Sequence, residues 1–287
     1  MKLAGKKVVI TGASLGLGRA LGEAVVREGG HVLLCARTAG PLEETARELK
    51  KLAQSGQRVL WKTCDVSEET QVEELAVYAQ DEFGTCDVLV NNAGVHGAMG
   101  PLEEVAWSDW KRTIEIDLYG VVLPCRRFIP QMKKQGWGKI INLSGGGAAG
   151  SRPFFSAYAA AKTAVVRVTE ILAEELRPFH IDVNALAPGP VNTRLIAEAV
   201  AAGPEKIGEK AYQEMLRIVE DGSPDGAVEL FLFLASSASD GLSGRLISAR
   251  WDAWRDLAAR REELAASDIY TLRRILPEDR GKTWGTP

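Results

Sequence analysis

The sequence predicts an α/β fold, one doubly wound domain whose seven-stranded parallel sheet carries helices on both faces. Two observations predict it. Short apolar runs alternate with longer amphipathic stretches along the chain, the pattern of strands buried on both faces and joined by crossover helices. The first run also enters a helix through a glycine-rich turn, as a nucleotide-binding βαβ unit would.

Each element follows in order. A strand over residues 7–11 leads into Thr11-Gly12-Ala13-Ser14-Leu15-Gly16-Leu17-Gly18 and a helix starting near Gly18. A strand over 31–36, a helix over 40–54, a strand over 58–64 and a helix over 68–82 complete the first half. Strands over 87–91, 139–143, 181–186 and 245–248 build the second, with one long helix over 156–176 and another beginning near Pro224. Residues 1–250 are thereby used by one domain. The segment 192–221 interrupts the rhythm and reads as a pair of short helices, placed where a substrate lid would sit. The tail, 251–287, is a C-terminal extension rich in Arg, Glu and Trp, and its stretch 254–267 fits an amphipathic helix. It is expected to rest on the domain or on a neighbouring subunit, covering that subunit or its own substrate pocket.

Composition narrows the partners. The chain of 287 residues is 46% hydrophobic and 25% charged, with a net charge of −3, which argues against nucleic acid. Cys35, Cys64, Cys86 and Cys125 are far apart and make no C-x-x-C pair, and there are three histidines, so no metal site is expected. The cysteines read as reduced thiols of a cytoplasmic protein. No run approaches the ~20 apolar residues of a membrane span, and the first strand is too short for a secretion signal.

The chemistry lies in two places. Glycines in the first turn allow close backbone approach to a pyrophosphate, and the helix that follows offers free N–H groups and a positive dipole end. Tyr158 and Lys162 are four residues apart on the long helix, hence on one face and one turn apart. A phenol with a pKa near 10 is a poor base at neutral pH, and a nearby ammonium favours its ionised form.

The spacing T-G-x-x-x-G-x-G resembles the short-chain dehydrogenase/reductase family. So do Asp65-Val66, Asn91-Asn92-Ala93-Gly94, Tyr158-Ala159-Ala160-Ala161-Lys162 and Pro188-Gly189, which follow in family order over residues 5–248. The resemblance implies a Rossmann-like fold and hydride exchange between NAD(P)(H) and a secondary alcohol or ketone. It implies that Gly12, Ser14, Leu15, Gly16, Leu17 and Gly18 surround the pyrophosphate, and that Asp65 and Val66 hold the adenine. Asn91, Ala93 and Gly94 would line the adenosine side, and Pro188, Gly189, Val191 and Thr193 would meet the nicotinamide carboxamide. Tyr158 would be the acid/base, and Lys162 would hold the ribose and tune the phenol. Homodimers or homotetramers would form through the segments 110–132 and 156–176. An alternative within the same fold is a non-redox epimerase or dehydratase, or an NADPH-sensing protein without turnover.

The end of the second strand carries Ala36-Arg37 where an acidic residue would favour NAD, so Arg37 favours NADP over NAD. The family's other frequent basic position is Leu15 here. Two departures concern catalysis. The family's serine, thirteen residues before the tyrosine, is Gly145; either the neighbouring Ser144 serves or no side-chain hydroxyl does. Asp117 stands where the family has asparagine, and its carboxylate is expected to stabilise the Lys162 ammonium and raise the working pKa of Tyr158. His96, Arg152, Phe154, Phe155, Asn192 and Arg194 near the mouth suggest a mixed polar and aromatic pocket, compatible with a sugar or polyol.

Overall fold

The computed structural model describes residues 1–284. The last three residues of the tail, 285–287, lie outside the described residues. Strands β1 (Lys7–Thr11), β2 (His31–Ala36), β3 (Val59–Thr63), β4 (Val88–Asn91), β5 (Gly138–Leu143), β6 (Ile181–Ala187) and β7 (Leu246–Ser248) form one sheet. Its order is β3-β2-β1-β4-β5-β6-β7, and every pairing is parallel. The order reverses between β1 and β4, and the carboxyl ends of these two strands open the crevice in which such sheets bind ligands.

Period-two alternation divides the core. Val8, Ile10, Leu34, Ile141 and Leu143 face one layer, with α1 (Gly16–Arg27), α2 (Ala39–Leu52) and α10 (Asp225–Ala235). Val9, Leu33, Leu89, Ile140 and Val183 face the other, with α3 (Glu69–Phe83), α5 (Gly120–Gln135) and α6 (Ser156–Leu176). Between α4 (Trp107–Ile114) and α5 lies a single π turn, Glu115–Tyr119, which turns Asp117 fully inward. Such turns often mark functional places in helices.

The segment 192–221 holds three helices rather than the expected pair: α7 (Arg194–Ala202), α8 (Pro204–Ile207) and α9 (Glu209–Asp221). Gly203 and Gly208 cut it, with φ of 79° and 80°, a conformation that ends a right-handed helix. Ile196, Ala199, Ile207 and Met215 bury themselves against Phe155 and Tyr158, so this cap closes directly over the end of α6.

The tail begins with a 3₁₀ segment, Trp254–Arg260, and α11 (Arg261–Ala265), where one amphipathic helix was expected. It returns along the domain. Buried Arg245 donates to the carbonyls of Ser267 (3.0 Å), Ile269 (2.8 Å) and Leu264. The Leu246 amide on β7 donates to Tyr270, and Glu170 on α6 accepts from the Leu272 amide at 2.6 Å. Among the described residues no helix is long and apolar enough to cross a membrane, and no three metal-ligating side chains converge.

Candidate active site

A cleft of about 1180 Å³ runs across the carboxyl ends of the strands. Its first wall is the turn after β1. Gly12 has φ +64°, and a Cβ built there would lie 2.7 Å from the Ala93 Cα; one built on Gly18 would lie 2.3 Å from the Gly12 carbonyl. Only glycine lets the β1 and β4 loops and the helix close up so tightly. The Thr11 hydroxyl fixes that junction by accepting from the amides of Asn92 (3.0 Å) and Ala93 (3.1 Å). Helix α1 has no side chain bonded to its first-turn amides. Its open N-terminus faces the cleft between Ser14, Leu15, Gly16, Leu17 and Gly18, a cradle that fits a pyrophosphate.

Further along lie Arg37, Asp65, Val66, Ala93 and Gly94, all on the cleft wall. Arg37 is exposed and makes no ion pair among the described residues; Glu44 is held by Arg47 instead. Asp65 is already engaged. Ser67 donates to it from both amide (3.1 Å) and hydroxyl (2.6 Å), and Arg112 pairs with it at 2.6 Å; although burial works against ionisation, these contacts hold its carboxyl below the usual range. Asn91 does not reach the wall. Its amide donates to Asn142 at 2.8 Å and to the Cys125 sulfur at 3.3 Å, tying β4 to β5 beneath the cleft. Pro188, Gly189, Val191 and Thr193 line the opposite side.

Tyr158 and Lys162 meet at the centre, both buried, with the ammonium 5.7 Å from the phenol ring centre. Lys162 donates to the Leu143 carbonyl at 3.1 Å, and its nitrogen lies 3.8 Å from Asp117 Oδ2. Asp117 sits behind Gly94 rather than on the cleft surface. Its Oδ1 accepts from the Val95 amide at 2.8 Å, while Oδ2 is buried without a hydrogen-bond partner. Burial pushes the Asp117 carboxyl up, opposed by Lys162. The Tyr158 hydroxyl is pushed up to about 12, chiefly by burial and further by Asp117, with Arg152 pulling the other way.

Position 145 is the one that faces the phenol. A Cβ on Gly145 would lie 2.1 Å from the Tyr158 oxygen. The strand register continues undisturbed to Ser144, whose amide donates to Leu186. The Ser144 hydroxyl lines the cleft from the adjacent position, buried and without a partner. His96 stands edge-on to Tyr158, ring centres 5.1 Å apart, and to Phe155 at 5.2 Å. Its Nδ1 is buried and unpartnered, and burial, seconded by Arg152, lowers its pKa to about 4. Of the other mouth residues, Arg152 and Arg194 line the cleft. Phe155 is buried in packing, and Asn192 is bonded to the Val219 carbonyl.

The sequence marked 192–221 as a lid and offered the tail as a cover for the pocket, but it did not single out Met215, Trp251, Tyr270, Thr271 and Leu272, which supply part of the wall. These residues sit on α9 and the tail. They carry no motif, and only the chain's return past β7 brings the tail residues to the site.

A doubly wound sheet, a glycine cradle at its switch point and a buried Tyr–Lys pair define a nicotinamide-dinucleotide oxidoreductase. The comparisons agree. A family model described as short chain dehydrogenase matches residues 6–203, and the chain belongs to that family. The cis-4-hydroxycyclohexanecarboxylate dehydrogenase of Sinomonas cyclohexanicum is 34% identical over 246 residues, covering 84% of this chain and 93% of its own. The crystal structure of levodione reductase superposes with a TM-score of 0.79 at 28% identity, covering 90% of this chain and 99% of the other. That of NAD+-bound xylitol dehydrogenase gives 0.77 at 25%, covering 86% and 98%. The protein is an oxidoreductase of the short-chain dehydrogenase/reductase family, acting on alcohols or ketones.

Proposed function

We propose that this enzyme interconverts a secondary alcohol and a ketone with NADP(H), using Tyr158 as the proton donor and acceptor. The observation that carries this is the buried phenol one helical turn from the Lys162 ammonium, at the centre of the cleft that the glycine cradle opens into. When bound, the nicotinamide supplies or takes up the hydride. Tyr158 then gives its proton to the carbonyl oxygen in reduction, or removes it from the alcohol in oxidation. Held in its protonated form by burial, it is ready as an acid at neutral pH. Lys162 is fixed by the Leu143 carbonyl, from where its remaining donors serve the ribose and its charge favours the phenolate.

Preference for NADP rests on Arg37, a guanidinium on the cleft wall that makes no ion pair among the described residues. The cap of residues 192–221 closes the substrate side, and the exposed Tyr119 and Ile171 suit pairing of two copies through α5 and α6. The four buried free thiols accord with a reducing, cytoplasmic setting.

The test is Tyr158→Phe with a ketone panel and NADPH. Turnover should fall by roughly 100-fold or more, while NADPH affinity, read by its fluorescence, stays within about threefold. Unchanged turnover would overturn the role of the phenol. In the same assay Arg37→Glu should reverse the NADPH preference, a change of roughly 10–100-fold in relative affinity.

A further inference from the structure

The cleft holds a cation that the hydride-transfer reading leaves unused. Arg152 follows the Gly145–Gly147 turn and reaches in beside the phenol. Its guanidinium carbon stands 4.3 Å from the centre of Phe155 and 5.6 Å from that of Tyr158. Its polar partners are weak ones, the Gly146 carbonyl at 3.4 Å and the Met215 sulfur at 4.0 Å. Among the described residues no carboxylate lies within ion-pair distance of it, although Glu214, Asp221 and Asp252 stand on the same walls.

Aromatic faces and the Met215 thioether fix the plane of this guanidinium without neutralising it. A fixed, planar, unpaired fork is pre-organised for two parallel hydrogen bonds to a carboxylate. A second group converges on the same space. His96, nine-tenths buried and edge-on to the same two rings, lines the cleft, and its Nδ1 has no hydrogen-bond partner. The Gly145 position meanwhile offers no hydroxyl to grip the substrate from the other side.

We propose that Arg152 binds a carboxylate on the substrate, which makes this enzyme a hydroxy-acid dehydrogenase, or keto-acid reductase, rather than a polyol enzyme. A single planar guanidinium held between ring faces suits a singly charged planar anion. The closeness of Arg152 to Tyr158 calls for a short chain or small ring between the carboxylate and the reacting carbon. The reaction, which rests on the oxidoreductase reading above, is keto acid plus NADPH plus a proton giving hydroxy acid plus NADP+. The carboxylate is unchanged throughout; it is the handle by which the carbonyl is held against Tyr158.

The test uses the full chain saturated with NADPH and reads cofactor fluorescence as ligand is added. The probes are matched pairs, benzoate against benzamide and 4-oxopentanoate against its methyl ester. The acid of each pair should bind roughly tenfold or more tighter than its neutral partner. That ratio should fall toward one in Arg152→Gln and be intermediate in Arg152→Lys, the cofactor titration showing that each variant is folded. Acids that bind no tighter than their neutral partners in the unaltered enzyme would overturn the proposal, and so would a ratio that survives Arg152→Gln. Acid preference without any turnover of 4-oxopentanoate, or of other ketones, would overturn the redox reading alone. Turnover of neutral ketones with no acid preference would overturn this inference alone.

Discussion

Gly145 stands so near Tyr158 that the first carbon of any side chain there would lie 2.1 Å from the phenolic oxygen. The phenol thus occupies the room a serine at this position would need. The ring reaches it because Phe155 and the cap residues Ile196 and Met215 press on the same helix end.

Gly145→Ser should therefore harm the enzyme rather than restore a missing group. Displacing a buried ring costs about 1–3 kcal/mol. A lowered midpoint in urea together with reduced kcat is expected. Higher kcat at unchanged stability would show that the phenol yields easily.

The charge behind Lys162 sets a pH dependence. Asp117 adds to the burial that raises the Tyr158 pKa, and an ionised carboxylate 3.8 Å from the ammonium offsets part of its pull. Asp117→Asn keeps an acceptor for the Val95 amide and removes the charge. Alcohol oxidation, which in the proposed mechanism draws on the phenolate, should then reach its plateau at lower pH than in the unaltered enzyme. The pH profile of kcat/KM in the oxidation direction is the measurement; an unmoved basic limb counts against the coupling.

His96 links stability to acid. Its pKa is lowered to about 4 in the fold against 6.5 in the open chain, so between these values the unfolded state binds the extra proton. Stability is full above pH 6.5 and falls on acidification toward pH 4, by up to about 3 kcal/mol from this residue. Unfolding free energies from pH 4 to 7 should slope less in His96→Gln. Equal slopes in the two proteins would mean that the ring is protonated in the native state as well.

Arg245 holds the tail. Replacing it with Met leaves the carbonyls of Leu264, Ser267 and Ile269 without their charged donor, a loss of about 2–3 kcal/mol. Because Tyr270, Thr271 and Leu272 line the cleft, KM for substrate should rise along with susceptibility to proteolysis beyond residue 264. A variant cut no faster than the parent would show that other contacts hold the segment.

The sheet and the glycine-rich turn after β1 were legible in the residues alone. Strands β1 and β2 run over the residues that apolar patterning marked, and the others differ by one residue at one or both ends, because a buried parallel strand must be apolar throughout its short length. Glycines 12 and 18 were legible because backbone crowding leaves no room for a Cβ, and Gly16 because its φ of +54° favours glycine. What the tertiary structure decided is the substrate side: that Gly145 and not Ser144 faces the phenol, that Asn91 ties the sheet together beneath the cleft, and that the tail folds into the wall. These outcomes depend on side-chain direction at a strand end and on contacts more than one hundred residues apart, such as Leu272 with Glu170. Periodicity records which face of an element is buried, but not which distant segment comes to cover it.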